Sequence, residues 1–176
     1  PLEDKHIMVS RVNTKIEYPT DIMFLAAMNP CPCGNLLHIQ KSCRCTDLEV
    51  QRYKNRLSEP FLDRIDISIQ MQAVRSDDVS SLSSSEMHKN VFSALGMRDE
   101  RGQISPNGKI QDEEIPNYCQ IDGELKELLR QASENFGLSF RSVNKILKVA
   151  RTISDLALCE NIQKDHLLEA MSYRRR

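Results

Sequence analysis

The chain has almost no net charge: 24 Lys and Arg face 25 Asp and Glu, a formal balance of −1 at pH 7. That removes any bulk electrostatic case for nucleic acid and requires any DNA site to be a local basic patch. Tryptophan is missing and aromatics make up only 5% of the residues. No apolar run approaches the roughly 20 residues of a membrane-spanning helix. No secretory signal pattern is present, and the chain opens Pro1-Leu2-Glu3 without an initiator methionine. It is therefore read as a fragment of a longer, cytoplasmic protein. What is present is ordinary for a folded chain: 176 residues, 40% hydrophobic and 28% charged. That length predicts one or two domains and suffices for a sizeable core.

Four of the six cysteines cluster between Cys31 and Cys45, whereas Cys119 and Cys159 stand alone. Clustering without a secretory signal favours metal over disulfides. The pattern is Cys31-x-Cys33, then Cys43-x-Cys45. In extended backbone, residues i and i+2 point the same way, so each pair can offer two sulfurs to one ion. Pro32 keeps the first pair extended, and Gly34 lets the chain turn back. Four thiolates suit tetrahedral zinc, with Lys41 and Arg44 offsetting charge and His38 as a fallback ligand. The alternative is a set of reduced thiols without metal.

Before this loop, Lys5–Val12 and Lys15–Tyr18 read as a β-hairpin about a polar Asn13-Thr14 turn. Its tip, with Arg11, Asn13 and Lys15, is either simply solvated or a finger facing a pore or DNA. Asp21–Met28 reads as a strongly buried strand that Asn29-Pro30 stops. Asn29 is either a plain turn residue or an amide placed to orient a water or a phosphate oxygen. After the loop, Thr46 and Glu49 form a capping box for a helix over Asp47–Leu57. Ser58-Glu59-Pro60 ends it, and Phe61-Leu62-Asp63-Arg64 introduces a strand over Ile65–Met71. Arg64 can pair with Asp63 or Asp66 on the surface, or reach a phosphate held by a neighbouring subunit.

A serine-rich stretch over residues 75–85 reads as a linker. Glu86–Arg101 follows as a helix with Met87, Val91, Leu95 and Arg98 along one side. Gly102–Lys109 breaks it, and residues 112–119 read as irregular. The last third is all helical. Asp122–Phe136 ends at a Gly137 cap, and Ser139 caps Phe140–Leu158, which buries Val143, Ile146, Leu147, Ala150, Ile153 and Leu156 with Ala157. Lys164–Tyr173 turns Leu167, Leu168 and Met171 inward. Arg141 sits in the first turn of its helix, where a cation opposes the helix dipole. It is either solvated or paired with an anion.

Several strings together resemble one family. They are Pro1-Leu2-Glu3-Asp4, Ala26-Ala27-Met28-Asn29-Pro30-Cys31-Pro32-Cys33-Gly34, Cys43-Arg44-Cys45-Thr46 and Leu62-Asp63-Arg64-Ile65-Asp66, with Leu138-Ser139-Phe140-Arg141 and Ile146–Leu156 further on. They look like the magnesium-chelatase-like AAA+ ATPases, in the branch of the competence protein ComM and YifB. The resemblance implies an α/β fold: the C-terminal part of an AAA+ core over residues 1–74, a linker over 75–85, and a helical lid over 86–176. Asn29 would then be sensor 1, positioning the water that attacks ATP. Arg64 would be an arginine finger acting across a subunit boundary, and Arg141 the sensor 2 arginine of the lid. The hairpin bearing Arg11, Asn13 and Lys15 would be the pre-sensor-1 insertion that faces DNA.

The departure is as informative as the match. The sequence contains no G-x-x-x-x-G-K-[S/T] phosphate loop and no apolar strand ending in paired acids for magnesium. Trigger and lid are present without the phosphate cradle, so the chain alone is not expected to hydrolyse ATP. The expected whole is a subunit of a ring, a hexamer, that uses ATP and Mg²⁺ to remodel DNA, with its own upstream half as a partner. Two other readings stand beside it: a zinc-stabilised DNA-binding module without ATP chemistry, and a chelatase-type motor subunit serving a protein or tetrapyrrole.

Overall fold

The computed structural model describes residues 5–38, 40–72, 74 and 77–174. The Pro1–Asp4 string, Arg75 and Ser76 of the serine-rich stretch, and the Arg175-Arg176 tail lie outside the described residues. Those described form a mixed α/β chain with one two-stranded antiparallel sheet and seven α-helices, divided by contacts into two units.

The first unit spans residues 5–65 with 71–72. Strands β1 (His6–Arg11) and β2 (Thr14–Pro19) pair in register from His6–Pro19 to Arg11–Thr14. The connecting residues are Val12 and Asn13, one position earlier than the sequence suggests, because Thr14 is drawn into the ladder opposite Arg11. Directly opposed residues share a face, so Ile7, Val9, Ile16 and Tyr18 form one exposed apolar side. The buried strand expected over Asp21–Met28 is not there. The segment is irregular, with Met23 84% and Leu25 81% exposed. A strand exists only by hydrogen bonding to a neighbour, and no described strand lies beside this one. Within it, Phe24 stands edge-on to Phe61, with centroids 6.0 Å apart.

Helix α1 (Asp47–Lys54) starts at the expected capping box: the Glu49 amide donates to Thr46 Oγ1 and the Thr46 amide to Glu49 Oε2. Ser58-Glu59-Pro60 does more than end a helix. Ser58 caps a new short one, α2 (Glu59–Leu62), because proline suits a first helical turn, where its missing N–H is not needed. Phe61 and Leu62 are therefore helical, and Ile65–Met71 is irregular rather than a strand.

The second unit takes residues 66–70, 74 and 77–174. Within it the Ser68 amide donates to the Tyr173 carbonyl at 2.9 Å, and Lys145 pairs with Asp66 at 3.0 Å. Helix α3 (Ser84–Glu100) opens on a Ser83/Glu86 capping box. Its apolar side remains exposed at Met87, Val91 and Leu95. Short α4 (Ile115–Tyr118) precedes α5 (Gly123–Phe136), α6 (Phe140–Leu156) and α7 (Lys164–Ser172). Asp122 caps α5, Gly137 closes it at φ 61°, and Ser139 caps α6.

The core packs Leu125, Leu129, Ile146, Leu147, Ala150, Leu167 and Ala170 with Ile110, Ile115, Cys119 and Ile162. Residues 102–119, which read as a break and an irregular stretch, thus supply core side chains through short helical turns. Leu156 and Leu168, expected inward, are exposed. Helix α6 ends earlier than its apolar pattern suggests. Leu158 turns left-handed at φ 54°, and the amides of Leu158 and Cys159 return to the carbonyls of Asp155 and Ser154.

Candidate functional site

The Cys31–Cys45 loop folds so that its four sulfurs converge. All lie within 4.8 Å of one another, with Cys31 to Cys33 at 3.5 Å and Cys31 and Cys33 each 3.6 Å from Cys43. A tetrahedron of thiolates bonded to zinc at about 2.3 Å has edges of about 3.8 Å. The sulfurs therefore already occupy close to the positions a tetrahedral metal requires. Cys31 is fully buried and the other three are half-buried. The first turn is closed by the Gly34 amide donating to the Cys31 carbonyl at 3.0 Å, with Gly34 at φ 77°. A side chain at that φ is strained, which explains the glycine.

Backbone amides also serve the sulfurs. Hydrogen bonds from the amides of Arg44 and Asn35 lower the Cys33 thiol from 9.0 to about 6, against the opposing effect of desolvation. For Cys45 the largest effect, a backbone hydrogen bond involving Cys33, lowers the pKa. Desolvation and the neighbouring sulfurs outweigh it and push the thiol up to about 12. At Cys43 the Cys45 backbone hydrogen bond likewise lowers it, while burial and the adjacent sulfurs leave it raised. One sulfur thus carries charge easily and its neighbours resist, as expected when like charges crowd without a counter-cation. A divalent metal supplies that cation. Arg44 acts on Cys33 through its backbone amide. His38 stands outside the sulfur group, its Nδ1 accepting from the amides of Gln40 and Lys41 at 3.0 and 3.2 Å.

Asn29 lies two residues before Cys31, exposed, with its carboxamide against the Cys31–Gly34 turn. A Cβ built on Gly34 would stand 3.9 Å from Asn29 Nδ2. Arg64 follows α2, half-buried, and its Nη1 donates to the Pro60 carbonyl at 2.7 Å. Of its expected acidic neighbours, Asp66 is engaged by Lys145. The Phe24–Phe61 contact joins the segment leading to Asn29 with the helix leading to Arg64. At the hairpin tip Arg11 pairs with Thr14 and Lys15 with Ser10, so the two cations take opposite faces of the ribbon. Arg141 belongs to the second unit, exposed in the first turn of α6. Nearby, the Arg174 guanidinium donates to Ser142 Oγ at 2.9 Å.

Sequence reasoning missed a buried polar network in the second unit. Asp155, 2% exposed, receives both Nη groups of Arg101 at 2.8 and 3.0 Å. It also accepts from Arg151 Nε at 3.1 Å and Asn107 Nδ2 at 2.8 Å. Burial lowers the Arg151 pKa, with Asp155 opposing. The signal was there: Arg151 and Asp155 are opposite charges at i and i+4 on one helix, beside the inward Ile146, Leu147 and Ala150.

A short sheet, a cysteine-rich turn beside an asparagine and a separate helical unit fit the C-terminal part of an AAA+ module with its lid. Residues 1–79 match the family model described as magnesium chelatase, subunit ChlI, and residues 81–174 match the model of that subunit's C-terminal region. The chain belongs to the magnesium chelatase ChlI family. It is 39% identical to the uncharacterized protein YifB of Salmonella typhimurium, over 99% of this chain and 35% of that protein. It is 36% identical to the competence protein ComM of Haemophilus influenzae, with the same coverage of each. The uncharacterized protein Rv2897c of Mycobacterium tuberculosis is 29% identical, again over 99% of this chain and 35% of the relative. The chain thus spans about a third of the length of the curated relatives it matches.

Proposed function

We propose that this chain is the sensor-and-lid portion of an ATP-driven, ring-forming motor that remodels DNA. The observation that carries the reading is the continuous match to ComM and YifB across both units. The geometry adds to it by gathering Asn29, the cysteine turn and the approach to Arg64 in one unit. Asn29 is assigned to orient the attacking water through its carboxamide. Arg64 neutralises charge on a phosphate bound by the adjacent subunit, and Arg141 contacts nucleotide from the lid. ATP and Mg²⁺ are held by parts of the protein beyond this sequence, which has no phosphate loop, so the chain alone has no turnover. The hairpin carrying Arg11, Asn13 and Lys15 contacts the DNA backbone. Cys31, Cys33, Cys43 and Cys45 hold zinc in a structural role, neutralising sulfur charge and closing the loop.

The test is ATP hydrolysis by the full-length protein with and without DNA, titrated with Arg64→Ala subunits. DNA stimulation, with turnover falling as inactive subunits mix into the rings, is expected. Turnover indifferent to DNA favours a chelatase-type motor. Turnover unaffected by Arg64→Ala removes Arg64 from the mechanism.

A further inference from the structure

Among the described residues, the closed cysteine turn and the asparagine beside it form a single piece of structure. Cys31 is fully buried, and its carbonyl holds the Gly34 amide at 3.0 Å. Gly34 is left-handed at φ 77°, and the Asn29 carboxamide lies on the side of its Cα where a Cβ would stand. The built Cβ lies 3.9 Å from Nδ2 and 4.0 Å from Cγ. Pro30 and Pro32 flank Cys31 and fix two backbone φ angles between Asn29 and the turn. Little torsional freedom is left between the carboxamide and the sulfur cluster. Whatever sets the turn sets the wall on which Asn29 rests.

We propose that the four-cysteine knot is a positioning device for Asn29, with Gly34 as the positioning residue and a thiophilic divalent metal as the clamp. The inference rests on the assignment of Asn29 above, but the closeness of the turn to the carboxamide stands without it. With metal bound, Cys31, Cys33, Cys43 and Cys45 are locked in one tetrahedron and the Cys31–Gly34 turn cannot open. Without metal, nothing ties the four sulfurs to one point, the turn is free to open, and the Asn29 carboxamide loses its fixed neighbour. A built Cβ at Gly34 meets Asn29 only at ordinary van der Waals distance. Alanine there acts through the backbone, by driving φ from its left-handed value, rather than by collision.

The experiment follows the Asn29 side-chain amide by NMR in the 176-residue chain, identified by its loss in Asn29→Asp, during titration with zinc chloride. Zinc is expected to shift the Asn29 amide pair in step with occupancy of the four cysteines, read independently from cobalt-substituted absorption. Gly34→Ala is expected to keep cobalt binding and lose the Asn29 response. An Asn29 amide indifferent to bound zinc overturns the proposal, as does a chain that binds no zinc or cobalt. The zinc titration of the unaltered chain decides the matter even if Gly34→Ala does not fold. In the full-length protein, Gly34→Ala should lower kcat for ATP by roughly 10²-fold with KM little changed, the scale of a misplaced reacting group. Full turnover in Asn29→Ala would refute the assignment of Asn29 while leaving a positive NMR result intact.

Discussion

Replacing Asp155 with asparagine tests whether one buried carboxylate holds the helical unit together. Asp155 is 2% exposed and neutralises two guanidinium groups, Arg101 and Arg151. Asn107 adds a further hydrogen bond at 2.8 Å. Asparagine keeps the shape and removes the charge. Arg101 can recover some hydration, since its side chain is 18% exposed, whereas Arg151, at 3%, cannot. Among the described residues, the other acceptors of Arg151 are neutral: the carbonyls of Cys159 and Glu160, each at 2.8 Å, and Ser154 Oγ at 2.8 Å. Stranding a buried charge costs about 3–5 kcal/mol. For a domain of this size each kcal/mol lowers Tm by roughly 4–8 °C, so the loss amounts to roughly 12–40 °C.

Urea denaturation followed by circular dichroism at the helix band reads the effect, because α3 to α7 all belong to this unit. Arg101→Met should cost less, since Asp155 keeps Arg151 and Asn107 as partners. A loss below about 1 kcal/mol for Asp155→Asn would place the network at the level of a surface ion pair and refute the reasoning. An Arg101→Met loss as large as that of Asp155→Asn would shift the weight from the buried charge to the docking of α3.

Two further outcomes follow from the same structure. In metal-free protein, iodoacetamide should modify Cys33 first near neutral pH, because hydrogen bonds from the Arg44 and Asn35 amides hold its pKa at about 6. The thiolate predominates above that value, so the rate should fall as pH drops through it. Cys119, pushed up to about 11 by burial, should resist until the chain unfolds, and zinc should protect Cys33. Peptide mapping by mass spectrometry separates the sites, and equal labelling of Cys33 and Cys119 would contradict the assignment. Gly137→Ala should destabilise the helical unit by about 1 kcal/mol, since a left-handed alanine is strained. Apart from its chain neighbours, no described residue lies within 4 Å of the added Cβ at φ 61°, so packing cannot compensate. A neutral urea midpoint would count against that penalty.

Local chemistry was legible from the residues alone wherever neighbours in sequence decide it. The Thr46/Glu49 box, the Ser139 cap and the Gly137 stop each join groups within a few residues, and each forms where the spacing predicts. The paired Cys-x-Cys spacing likewise anticipated four convergent sulfurs, but not by the expected route: Cys31-Pro32-Cys33-Gly34 is a hydrogen-bonded turn rather than an extended pair.

What required the tertiary structure depends on partners distant in sequence. Asp21–Met28 and Ile65–Met71 have strand-like composition, but a strand needs a neighbour to take its hydrogen bonds, and the described residues offer none. Ile110, Ile115 and Cys119 show no long period, so only the packed core reveals that they belong to it. Arg101 finds Asp155 across 54 positions of sequence, and no local pattern connects the two. Sequence spacing determined which groups could cap, turn and converge. Long-range packing decided which were buried, and burial is what turns the Arg101–Asp155 pair from a surface contact into an internal ion pair.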